Sequence, residues 1–171
     1  MLRKNKIGIW KNTSQQDLIK TFDFKHSWAV PTENTGSAIP FFISRILETL
    51  DPWESCSLWK ANGYWGLYIN ETSLPHHKVW ARILQKLGIP SYFKGAVIFN
   101  RNELTDLLSV SFVQIAFAWS VADDLYLIPD HGQQIIKTDH HGFVEVSFLD
   151  KNRLEKFTAE LAKSKIFPSE Q

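Results

Sequence analysis

The sequence predicts an α+β fold: a mostly antiparallel sheet with about four helices packed on it, in a single domain over 1–171. Three observations carry this. Asn62-Gly63 writes a hairpin into residues 56–69. Turn residues spaced between apolar runs write a meander into residues 112–148. Three further segments repeat apolar residues at three-and-four spacing, the pattern of one buried helical stripe. The chain has 171 residues, 44% hydrophobic and 22% charged, which suits one folded domain with a sizeable core.

Lys6 to Lys11 is read as an edge strand. A short helix follows over Ser14 to Phe22, with Ser14 as cap and Asp17 at the third position, where a carboxylate favours the helix start. Phe24 to Gly36 has no clear period and ends in turn formers, so it is read as a long loop. From Ala38 to Leu50 the residues Ile39, Phe42, Ile43, Ile46, Leu47 and Leu50 form one apolar stripe, stopped by Asp51-Pro52. In the hairpin, a turn at Asn62-Gly63 sets Leu58 opposite Leu67 and Trp59 opposite Gly66. Cys56 and Leu58 then share one face, and Ser57 and Trp59 the other.

A helix over Leu74 to Leu87 has Pro75 in its first turn and Gly88 as its stop, with Trp80, Ile83, Leu84 and Leu87 inward. Lys94 to Asn100 is a strand. Residues 102–108 read as helix. A strand is expected from Phe112, because Val113, Ile115, Phe117 and Trp119 alternate with Gln114, Ala116 and Ala118. Strands 124–129, 134–139 and 143–148 complete the meander. Their turns set Lys137 opposite Glu145 and Ile136 opposite Val146, a charge pair and an apolar pair. The last helix, Lys151 to Lys163, turns Leu154, Phe157 and Leu161 inward.

The formal net charge is +1, which argues against nucleic acid as a partner. The one cysteine, Cys56, excludes an internal disulfide and a zinc site of the usual multi-cysteine type, and a lone thiol suits a reducing compartment. The basic start, Arg3-Lys4-Asn5-Lys6, is followed by no apolar stretch long enough for a secretory signal, and no run approaches the ~18 residues of a membrane span. Cytoplasm is therefore the expected location, with no membrane partner.

The most suggestive polar set is Asp123, Asp124, Asp130, His131, Asp139, His140 and His141. Aspartate and histidine at close spacing suit a divalent metal or a general base with its orienting partner. The meander register separates His131 from His140 by roughly 20–25 Å, at about 3.3 Å per residue, so the two cannot share a metal. Asp124, Asp139, His140 and His141 remain as a metal set for a hydrolase, with Asp123 or His76 as base. Against that stand the glycine-rich phosphate loop, GxSxG, HExxH and CxxC templates, none of which occurs.

Seven Trp residues in 171 are the feature that stability explains least. Trp28, Trp53, Trp59 and Trp65 lie in or beside loops and on two hairpin faces, so one core is not expected to hide all four. Exposed aromatic groups mark interfaces. The favoured function is accordingly a non-catalytic cytoplasmic domain that binds another protein through Trp59, Tyr64, Trp65 and Tyr68, as a bacterial immunity or adaptor protein would, with no cofactor. The metal hydrolase is the alternative, and a ligand pocket lined by Trp80, Phe117 and Trp119 is a third reading.

Overall fold

A computed structural model of the chain describes residues 24–31, 39–50, 52–60, 65, 73–89, 93, 95–116, 124–130, 133–138 and 143–163. Its strands are β1 (His26–Pro31), β2 (Ser55–Lys60), β3 (Val97–Asn100), β4 (Leu125–Pro129), β5 (Gln134–Thr138) and β6 (Phe143–Phe148). Its helices are α1 (Ile39–Thr49), α2 (Pro75–Lys86), α3 (Leu104–Ala116) and α4 (Lys151–Lys163). The strands form one sheet in the order β1-β6-β5-β4-β2-β3, antiparallel at every step. This is the α+β architecture that the sequence predicts.

Residues opposite one another across an antiparallel ladder share a face. Val97, Leu58, Leu127, Ile136, Val146 and Trp28 form one such row, and all but Trp28 are buried. Helical residues complete this core: Ile43, Ile46 and Leu47 from α1, Leu107 and Val110 from α3, and Phe157 and Leu161 from α4. The aromatic rings of Trp28 and Phe157 meet edge-on at 5.7 Å, which fixes α4 over β1. The opposite sheet face carries the row Trp59, Tyr126, Lys137, Glu145 and Ala29.

The β5–β6 register is the expected one, with Lys137 opposite Glu145 and Ile136 opposite Val146. Helices α1, α2 and α4 lie where their apolar stripes place them. Three expectations are corrected. The meander does not begin at Phe112, because residues 112–116 continue α3 as helix. Leu107, Val110 and Ser111 are buried at helical spacing, and the Ser111 hydroxyl donates to the Leu107 carbonyl at 2.9 Å, so its burial leaves no polar group unsatisfied. The carboxylate of Glu103 accepts the backbone N–H of Asn100 at 2.9 Å at the start of this helical segment.

Leu58 does not face Leu67. Its two neighbours are Val97 of β3 and Leu127 of β4, so both edges of the strand are occupied there. The expected second arm of the hairpin, apart from Trp65, lies outside the described residues, as do the edge strand at 6–11 and the helix at 14–22. The expected loop at 24–36 contains β1, which pairs with β6 along its whole length. Nothing in the local period of those residues signals a strand; the exposed edge of β6 supplies it.

Leu127 has no exposed surface and lies centrally in the buried row. Leu127→Ala is expected to lower stability by about 2–5 kcal/mol. Urea unfolding should show a lower midpoint and an unchanged slope.

Candidate functional site

Three surfaces gather the polar and aromatic groups that could carry a function. The first is the sheet face bearing Tyr126. The Lys137 ammonium lies 3.2 Å from Asp124 Oδ2, and Tyr126 sits between Lys137 and Trp59 in the cross-strand row. Burial pushes the Tyr126 phenol above its ordinary range. Lys137 opposes that shift, and Asp124 and Glu145 add to it. The phenol is therefore protonated at neutral pH.

The second surface is the opposite sheet end. Asp130 Oδ2 accepts the backbone N–H groups of Glu54 and Ser55, both at 3.1 Å, and the Asp130 N–H donates to the Ser55 carbonyl at 2.9 Å. This aspartate fastens the start of β2 to the end of β4. Beside it the Arg101 guanidinium lies over the Trp53 ring at 5.7 Å, and the Trp53 indole N–H donates to the Leu47 carbonyl at 3.0 Å. These contacts join the 52–54 segment to β4, α1 and the end of β3.

The third surface is the outer side of α2. Its inner side is fixed by Trp80, which is buried and stacks on Trp65 with ring centroids 6.2 Å apart. The Trp65 indole N–H donates to the Gly95 carbonyl at 2.7 Å. Gly95 has φ +128°, a conformation that L side chains rarely adopt. The helix ends in a Schellman arrangement: Ile89 N–H donates to Leu84 O at 2.8 Å, and Gly88 N–H to Gln85 O at 3.0 Å, with Gly88 at φ +72°. At about 100° per residue, the outward sector holds Leu74, Gln85, Lys78, Arg82, Pro75, Lys86 and Val79 in angular order. Leu74 and Val79, at its two borders, are 50% and 41% exposed.

The residues predicted to bind a partner are distributed differently. Trp59 and Trp65 are 4% and 0% exposed, so neither ring presents a contact surface. Trp53 is also buried, and Trp28 packs against the core. As expected, one core does not hide all four indoles: Trp53 and Trp65 belong to it and Trp28 packs half-buried against it, while Trp59 is buried on the opposite sheet face. Tyr64 and Tyr68 lie outside the described residues. Of the metal set, Asp124 is the ion-pair partner of Lys137, while Asp139, His140 and His141 lie outside the described residues, as does Asp123. The His76 side chain, Phe117 and Trp119 do so too. Among the described residues no group of three or more His, Cys, Asp or Glu side chains is gathered as a metal would require.

Cys56 is buried, and burial pushes its thiol well above the ordinary range, so it is a core side chain and not a nucleophile. Among the described residues no helix is long and apolar enough to cross a membrane. The exposed apolar residues of α2 are what the sequence reading missed. Val79 stands one position before buried Trp80, and only the direction of the helix's stripe separates them.

Comparison of the chain with protein-family models, with curated proteins and with solved structures gives no match.

Two measurements test these placements. Trp65→Ala is expected to cost about 3–5 kcal/mol of stability, as a buried aromatic does, with a matching fall in the thermal midpoint. A binding residue on the surface would leave that midpoint in place. For Cys56, the native thiol stays protonated above its ordinary value of 9.0, while the unfolded thiol ionises. The unfolded state then holds fewer protons, so the stability associated with this thiol falls as pH rises past 9. Cys56→Ala should flatten that part of the stability profile, and the wild-type thiol should react with an aromatic disulfide reagent only once the protein unfolds.

Proposed function

We propose that the chain is a non-catalytic protein-binding domain, working in the cytoplasm in the manner of an immunity or adaptor protein. The observation that carries this reading is the outward sector of α2. Two large apolar side chains, Leu74 and Val79, stand half in solvent at its borders, on a helix whose inner side is already packed through the Trp65–Trp80 stack. A large apolar group left in water on a firmly held element is a candidate contact point, because covering it with a partner releases hydration at little ordering cost. The aromatic-rich hairpin is replaced as the contact surface, since Trp59 and Trp65 are buried.

The reading is tested by capturing partners from a lysate of the source organism with tagged wild type and with a Val79→Ser, Arg82→Glu variant. Both positions are exposed, so the thermal midpoint should hold within a few degrees. A stoichiometric partner kept by wild type and lost by the variant is the expected result. Equal retention of every partner by both proteins would remove α2 as the contact surface.

A further inference from the structure

We infer that the outer face of α2 takes an acidic amphipathic helix of a partner protein, an inference that rests on the protein-binding reading above. Lys78, Arg82 and Lys86 recur every four residues along this helix, which contains no Asp or Glu. The sequence around it is equally one-sided: between residues 72 and 102 stand Lys78, Arg82, Lys86, Lys94 and Arg101, and no acidic residue. The other helices that carry cations also carry acidic residues that pair with some of them. In α1, Arg45 pairs with Glu48 at 2.7 Å; in α4, Lys151 pairs with Glu155 at 3.3 Å and Lys163 with Glu160 at 2.6 Å. On α2, Arg82 and Lys86 are exposed and make no ion pair among the described residues.

Spacing and borders select the occupant. Four residues of helix rise about 6 Å, so the three cations form a row about 12 Å long. Carboxylates at the same interval on a second helix would meet the two exposed cations, Arg82 and Lys86, as charged residues flanking a helix seam do. Leu74 and Val79 border the cationic row, and apolar side chains beside the partner's carboxylates would cover them. A nucleic acid fits less well: three phosphate contacts release few counterions, and the two apolar borders would stay in water. A membrane surface fits less well again, because the apolar side of α2 is already committed to the core through Trp80 and Leu84.

The test uses a fluorescent synthetic helix with Glu at every fourth position and Leu beside them, titrated with the full chain and followed by anisotropy at low and moderate salt. Three controls accompany it: the same peptide with Gln for Glu, a thymidine oligonucleotide of equal charge, and phosphatidylserine vesicles. The expected result is saturable binding of the acidic peptide, weakened about tenfold or more by Arg82→Glu with Lys86→Glu, and restored when Lys replaces Glu in the peptide. No saturable peptide binding overturns the inference, and so does oligonucleotide or vesicle binding as tight as the peptide's. Should a captured cellular partner depend on Val79 and Arg82 while the peptide fails, the acidic-helix inference falls and the protein-binding reading stands.

Discussion

The position of β2 governs the rest of the architecture. It pairs antiparallel with β3 on one side and β4 on the other. Strands β3 and β4 are consequently parallel to each other, with β2 between them. Parallel strands cannot be joined by a tight turn, so the chain after β3 must cross over the sheet before entering β4. Helix α3 makes that crossing. Once there, it supplies Leu107 and Val110 to the core, and both α1 and α2 pack against it. The Asp130 carboxylate secures the arrangement where it would open most readily, by accepting two consecutive N–H groups from the residues that lead into β2.

This topology also decides which side chains remain for a partner. Trp59, paired with Tyr126 of β4, is buried although it lies on the face of β2 opposite Leu58, so it belongs to the fold and not to a contact surface. The same holds at the periphery for Trp65, which ties α2 to the segment before β3 by one stack and one indole hydrogen bond. Aromatic abundance in this chain is largely a property of how its outlying elements are moored. What remains at the surface of α2 is short, aliphatic and cationic.

Much of the fold was legible because the governing interactions are local. The β5–β6 register follows from one turn and two cross-strand pairs, Lys137–Glu145 and Ile136–Val146, a few residues apart. The stripes of α1, α2 and α4 need only their own periodicity. The partners of β2 were not legible, since Val97 and Leu127 lie far along the chain and the Asn62-Gly63 signal points to a nearer neighbour. The run from Phe112 was ambiguous because Phe112, Val113 and Ile115 fit both periods; the crossover requirement, which no local window contains, resolves it as helix. The candidate site was the least legible. Exposure of Val79 and burial of Trp65 are decided by the direction in which α2 meets its neighbours, and sequence spacing gives a stripe without saying what it packs on.

Burial on one side of α2 bears directly on what the other side can do. The helix is held by Trp80 within the core, by the Schellman closure at Gly88 and by the Gly95 contact of Trp65. Its outward side chains therefore project from a backbone that loses little freedom when a partner arrives, and ordering costs on binding fall mainly on the partner. Like charges four residues apart on one helix oppose helix formation by a few tenths of a kcal/mol per pair. Lys78, Arg82 and Lys86 impose that penalty twice, and no acidic residue within α2 offsets it. The helix tolerates it because tertiary packing, not charge, sets its stability. A complementary anionic helix would add attractions that offset these two repulsions.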